Sequence, residues 1–144
     1  MVRTKKQTRY RGVATVEAAI VFPLLLLLTF GAIKYGWLFL KAQQITNAAR
    51  HGARIAILPG VTVNDDVLPA IQSLMAAAGI NSGDYSVTIS PADFPSAAAG
   101  DTVTIQVTVP CANIDIMQVP LLPSFENLGA SVTMAKEGPF TVIP

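Results

Sequence analysis

Charge is scarce in this chain. Asp, Glu, Lys and Arg supply 13% of its 144 residues and apolar residues 51%. An ordinary soluble domain carries about 25% charged residues, so the balance favours a membrane or a packed assembly. The length is that of one domain. Cysteine is nearly absent too. A lone Cys111 excludes an intramolecular disulfide. It reads as a small buried apolar residue, the other option being a bond to another chain outside the cytoplasm. The only histidine, His51, lies near Arg50 and Arg54 without a companion for catalysis or metal binding, and reads as a surface residue. No glycine-rich phosphate loop or metal-ligand spacing is present, and neither Cys111 nor His51 belongs to a base–nucleophile arrangement. Asp65 and Asp66 are adjacent at a helix start, and Asp84, Asp93 and Asp101 are not spaced as cation ligands. No catalytic residue, cofactor or metal is therefore expected, and the chain reads as a non-enzyme.

The charges that are present are segregated. Residues 1–12 carry Arg3, Lys5, Lys6, Arg9 and Arg11 and no acid, a net of +5. Residues 13–58 have a net of +3, and residues 59–144 have one lysine against eight acids, a net of −7. A basic head, an oily stretch and an acidic body suit a cytoplasmic N-terminus and an external C-terminal domain. A nucleic-acid binder would carry its positive charge on the folded body, so no nucleic-acid partner is expected.

Residues 18–33 form an uncharged run of 16, and extending it to Val13 gives 21 residues interrupted only by Glu17. A membrane helix needs about 20 apolar residues, so the run reaches bilayer length only with Glu17 inside it or at its edge. Three readings compete. A cleaved secretory signal would end in small residues, whereas Lys34-Tyr35-Gly36-Trp37 follows; on that reading the mature chain is a secreted binding module. A plain signal anchor, serving as a non-polymerising single-pass scaffold of secretion machinery, explains the orientation but not the acid. A carboxylate at membrane depth costs a few kcal/mol and is usually kept for a partner or a function. In the third reading, that of a prepilin, the acid has a defined role.

Gly12 is followed by Val13-Ala-Thr-Val and then Glu17. This resembles the type IV prepilin processing site, where a peptidase cuts after a glycine at the cytoplasmic face and a glutamate is fifth in the mature chain. With Val13 first, Glu17 is fifth. Such a cut removes the leader charges and creates an ammonium at Val13, which the Glu17 of a neighbouring subunit can neutralise. An unpaired buried charge is heavily penalised, so this pairing favours correct registration. The wider segment from Arg11 to Gly31, with its Pro23-Leu run, is similar to TadE-like proteins, minor pilins or pseudopilins of tight-adherence (Tad, type IVb) systems. Asn47-Ala-Ala-Arg50-His-Gly-Ala-Arg54 extends the resemblance, and Met134-Ala-Lys-Glu137 resembles the Met-Arg-x-Glu close of many members. Residue 18 departs from the pattern: it is Ala where many relatives have Phe or Tyr. The resemblance implies processing at Gly12 and Val13, and assembly through Val13, Glu17 and Pro23. It also implies insertion in the bacterial inner membrane among lipid before assembly. The partners it implies are other pilin subunits, a prepilin peptidase and platform proteins of the pilus or secretion machinery.

The expected fold is α+β and pilin-like. A basic leader (1–12) precedes one long helix over 13–58, membrane or filament core over 13–33 and amphipathic over 34–58. At about 1.5 Å per residue this helix measures roughly 70 Å, and Pro59-Gly60 ends it. Pro23 removes the bond to the Ala19 carbonyl and is expected to kink it, or to be tolerated as membrane-helix prolines are. Gly31 and Gly36 offer flexibility or close approach. Ala42, Ile45, Ala49, Gly52 and Ala56 form a stripe of mostly small residues at helical spacing. Arg50 and Arg54 either pair with the acidic body or face solvent. A globular domain follows over 59–144. A second helix is expected from caps at Asn64-Asp65-Asp66 to about Ala78, with Pro69 in its first turn and Gly79 as its stop. Period-two runs predict three strands, around Tyr85–Ile89, Val103–Val109 and Ala130–Met134, as an antiparallel meander with one face on the long helix. Segment 91–100 is expected to be a hairpin loop, and 110–128 a long loop with a helical turn near Ile114–Met117. Phe94, Phe125 and Phe140 either contact a neighbouring subunit or cover a core edge.

Overall fold

The computed structural model describes residues 9–116, 123 and 125–138, with side chains from Gly12 onward. The chain separates into two compact units, one ending at Gly36 and the other beginning at Trp37. Among the described residues the first unit is a single helical stretch. The second, the body, contains the rest of that helix, a second helix and a sheet.

Helix α1 runs Arg9–Ala56 without interruption through Pro23. It begins a turn before the expected start at Val13, because only Gly12 among residues 9–12 is a poor helix former and one glycine costs about 1 kcal/mol. At its end Ile57 and Leu58 still donate to the carbonyls of Ala53 and Ile55, at 3.3 and 3.0 Å, so the helix unwinds just before Pro59-Gly60. Its buried face includes Leu38, Ile45, Ala49, Gly52 and Ala56, largely the expected stripe.

A short π-type turn, Val63–Val67, leads into helix α2, Leu68–Ala77. The capping residue is Thr62, not Asn64. Its hydroxyl accepts from the Asp65 amide at 3.3 Å, and its own amide donates to Asp66 Oδ2 at 2.9 Å. This reciprocal arrangement satisfies two amides that a helix start leaves bare. At the other end Gly79 adopts φ +71. Its amide reaches the Ala76 carbonyl and that of Ile80 reaches Met75, both at 2.9 Å. This is the Schellman closure, which glycine permits at no steric cost.

The three strands are β1 (Ser86–Ser90), β2 (Thr102–Pro110) and β3 (Asn127–Ala135), an antiparallel meander in the order β1-β2-β3. Strand pairing places Ile89 opposite Ile105 and Ile105 opposite Val132. The fold is therefore α+β, as the period-two runs imply. Val103, Ile105, Val107 and Val109 of the central strand are wholly buried. Their opposite face is uncharged and hydroxyl-rich, and Thr104 and Thr133 hydrogen-bond across it at 2.7 Å. The loop aromatics separate: Phe94 is fully buried and covers the core, Phe125 is exposed, and Phe140 lies outside the described residues. The helical turn of the long loop is a 3-10 turn at Cys111–Asn113, earlier than expected, and Cys111 is buried.

One lysine ties the β1–β2 loop to the sheet. Lys136, 9% exposed, donates from Nζ to the carbonyls of Phe94 and Pro95 at 2.8 and 2.7 Å. Its backbone continues the β2–β3 pairing: the Lys136 amide reaches the Asp101 carbonyl at 2.7 Å, and the Gly100 amide reaches its own carbonyl at 3.0 Å. Next door, the Glu137 amide donates to the Ile57 carbonyl at 3.0 Å, fastening the end of β3 to the end of α1. Lys136→Met keeps the stem but removes the ammonium's bonds to the Phe94 and Pro95 carbonyls; that of Phe94 keeps the Ala97 amide at 3.1 Å, and two lost bonds from a charged donor cost about 1–3 kcal/mol together. The urea midpoint of the body, read by Trp37 fluorescence in detergent, is expected to fall by roughly 1 M at the usual slope for small domains. An unchanged midpoint would mean the lysine does not hold the loop.

Candidate functional site

The amino-terminal end of α1 carries the residues singled out by sequence. Gly12, Val13, Val16, Glu17 and Ile20 share one face of the helix, as spacings of three and four dictate. Val13 and Glu17 are one turn apart. Pro23, six residues beyond Glu17 and so about 240° around the helix, is not on that face. The structure thus brings Gly12, Val13 and Glu17 together and leaves Pro23 apart.

Gly12 has no structural reason to be glycine. A Cβ built there meets nothing within 4 Å, and in a helix interior glycine costs about 1 kcal/mol relative to alanine. Glu17 is solvent-exposed, and it has no hydrogen-bond or ion-pair partner among the described residues. The apolar side chains around it, Val13, Val16, Ile20, Val21 and Phe22, are exposed as well. Within the run, Thr29 returns its hydroxyl to the Leu25 carbonyl at 2.8 Å, so its polar group is satisfied inside the helix. The stretch is long and apolar enough to cross a membrane, and only 6% of its most apolar window is buried.

Further along α1, in the body, lies an arrangement that sequence reasoning missed. Lys41 is 7% exposed. Its ammonium donates to the Ala78 carbonyl at the end of α2 and sits 4.8 Å from the Trp37 ring centroid. A cation at a helix C-terminus meets the negative end of the helix dipole, and the indole face adds cation–π attraction. Trp37 Nε1 in turn donates to the Ile114 carbonyl at 2.9 Å. One signal in the sequence pointed here: Trp37 and Lys41 are four apart, and Lys41 is in register with Leu38 and Ile45 on the buried stripe.

The remaining candidates have local roles. Asp101 Oδ2 accepts from the Ala98 amide at 2.8 Å, and Asp84 Oδ2 from Asn81 at 3.2 Å. Among the described residues no group of three or more His, Cys, Asp or Glu side chains could hold a metal ion. His51, Arg50 and Arg54 are exposed.

The family model described as TadE-like protein matches residues 12–54, the segment that contains Gly12, Glu17, Pro23 and the Asn47–Arg54 motif. The match begins at the glycine. No curated protein and no solved structure matches the chain.

Proposed function

We propose that this chain is a structural subunit, a minor pilin or pseudopilin, of a Tad or related type IVb pilus or secretion system, and not an enzyme. It enters the bacterial inner membrane through α1 with its N-terminus in the cytoplasm. A prepilin peptidase cuts between Gly12 and Val13, and the mature helix joins other pilin subunits in a pilus or pseudopilus. The observation that carries this reading is the conjunction of Gly12, which packing does not require, with an exposed carboxylate one turn past Val13 that has no partner among the described residues. A glycine at the cut lets a protease grip the backbone closely. An exposed carboxylate on an apolar face suits a partner that appears only after the cut, the new ammonium of an adjacent subunit. The TadE-like match over the same residues supports it.

Intact mass measurement of the protein, made beside its own peptidase and purified from membranes, is expected to give a chain beginning at Val13. A chain still beginning at residue 1 or 2 under those conditions would sink the processing step. Cross-linking in cells from α1 is expected to capture other pilins; capture of platform proteins alone would favour a scaffold that does not polymerise.

A further inference from the structure

The apolar layer under the sheet runs off both of its margins. The inward residues of the central strand β2 are wholly buried. Those of the outer strands, Val87 and Ile89 on β1 and Leu128, Ala130, Val132 and Met134 on β3, are only half-buried. A strand added beside either margin would cover them.

The register shows which backbone groups such a strand would meet. Lys136 bonds to Asp101 in the continuation of the β2–β3 ladder, and bonded positions alternate along an antiparallel strand. With the observed Cα partners, the even-numbered residues of β3 therefore direct their amides and carbonyls to β2. The odd-numbered ones, Gly129, Ser131 and Thr133 among them, point theirs outward. The close Thr104–Thr133 contact agrees, because side chains approach most closely at non-bonded pairs. On β1 the same count turns Val87 and Ile89 outward. Among the described residues no backbone group meets those of the outer edges until Glu137, whose amide reaches the Ile57 carbonyl and closes the end of the β3 edge.

Neither edge is guarded by charge. β1 and β3 contain no charged residue, and all eight acids of residues 59–144 lie outside the three strands. Natural edges are blunted by lysine, proline, bulges or shortness. β1 is short and Pro91 follows it, but β3 runs nine residues with none of these. Acidic bodies repel one another, so two neutral edges are where copies of this body approach at least cost.

We propose that the β3 edge takes β1 of a second copy of this chain, head to tail, so that the two sheets continue as one. β1 and β3 both run antiparallel to β2 and hence parallel to each other. A neighbouring copy with its apolar face on the same side therefore presents β1 parallel to β3. Thr88, Gln106 and Ser131 are level across one sheet, and the same level places Thr88 of the neighbour beside Ser131. In a parallel ladder a residue bonds to the positions before and after its opposite number. The Ser131 amide then donates to Val87 of the neighbour, and the Ser131 carbonyl accepts from its Ile89. Gly129 and Thr133 extend the ladder on either side, and it stops at Pro91, which has no N–H. On the inner face Ala130 meets Val87 and Val132 meets Ile89, small against large at one position and branched against branched at the next. Two β3 strands fit less well. Paired antiparallel about Ser131, each brings Phe125 and Glu126 to the point where Ile57 of the other copy closes the edge. Each head-to-tail contact leaves one β1 and one β3 open, so it can repeat.

The proposal concerns the body alone; neither cleavage at Gly12 nor the placement of the amino-terminal unit enters it. Hydrogen exchange of the full chain in detergent, read amide by amide at rising protein concentration, tests it without substitution. The amides of Gly129, Ser131, Thr133, Val87 and Ile89 are expected to slow together at least tenfold, while their even-numbered neighbours, already bonded to β2, do not change. Thr88→Cys mixed with Ser131→Cys and treated with a short bismaleimide is expected to give at least tenfold more dimer than either variant alone; the unsubstituted chain controls for the buried Cys111. Slowing confined to β3, with Ser131→Cys cross-linking to itself, would overturn β1 as the occupant in favour of a closed β3 pair. Protection of the odd-numbered β3 amides at every concentration would show that another segment of the same chain fills the edge and would overturn the contact between copies. Fast exchange at all concentrations, with no mixed dimer, would overturn the edge as an interface.

Discussion

Gly52→Ala is expected to destabilise the body by about 1–2 kcal/mol, and Gly52→Val to detach α2 from α1. In an open helix the change to alanine would stabilise by about 1 kcal/mol. Here a Cβ at position 52 falls 2.6 Å from both Cδ1 and Cγ1 of Ile71, and 3.5 Å from Cδ1 of Ile105. The terminal methyl of an isoleucine can swing, but Cγ1 is on its stem and moves only with χ1 or with α2 itself. Ile71 is fully buried, so neither motion is free, and overpacking of this kind costs about 1–3 kcal/mol. Valine adds two methyls to the same contact and is expected to exceed about 3 kcal/mol. Urea unfolding in detergent, read by Trp37, measures both. The double variant Gly52→Ala with Ile71→Ala isolates the contact, because the added methyl fills part of the space that Ile71→Ala opens. Its cost is expected to fall at least about 1 kcal/mol below the sum of the single changes. A neutral or stabilising Gly52→Ala would show that α1 and α2 do not approach this closely.

Glu17→Ala is expected to leave membrane insertion intact or improved and to reduce incorporation into filaments on the order of a hundredfold. Removing a carboxylate from an apolar helix lowers the cost of placing that helix in or near lipid. Assembly responds in the opposite direction. On the proposed reading the ammonium created at Val13 needs a counter-charge in a filament core, and breaking a buried pair by removing one partner costs about 3–5 kcal/mol. At about 1.4 kcal/mol per factor of ten, that is a hundredfold or more in subunit addition. Glu17→Gln keeps the shape and one acceptor and is expected to fall between. The measurement compares the chain in sheared filaments with the chain in membranes. Wild-type levels of Glu17→Ala in filaments would mean that the carboxylate is not the partner of the new amine.

The candidate site was almost wholly legible in the sequence, since every member of it is local. Gly12, Val13 and Glu17 need only a helix to share a face, and an apolar run supplies the helix whatever the rest of the chain does. The sheet was legible for a similar reason: a period of two in Val103–Val109 and in Ala130–Met134 dictates which side chains face one way. The start of α2 was less so. Asn64, Asp65 and Asp66 are all capping residues by type, and the choice fell on Thr62 because its hydroxyl and amide engage Asp65 and Asp66 reciprocally. Nothing in composition orders those alternatives.

The sequence by itself determined an oily helix with one acid, a basic N-terminal segment and an acidic α+β body, because those follow from spacing and charge along the chain. Only the tertiary structure decided where the lysines went. Lys41 and Lys136 count as surface charges in any reading by composition, since a lone ammonium is too costly to bury. Each is buried because a carbonyl far along the chain, Ala78 at 37 residues' distance and Phe94 at 42, turns to meet it. Such partners come together only when the body folds.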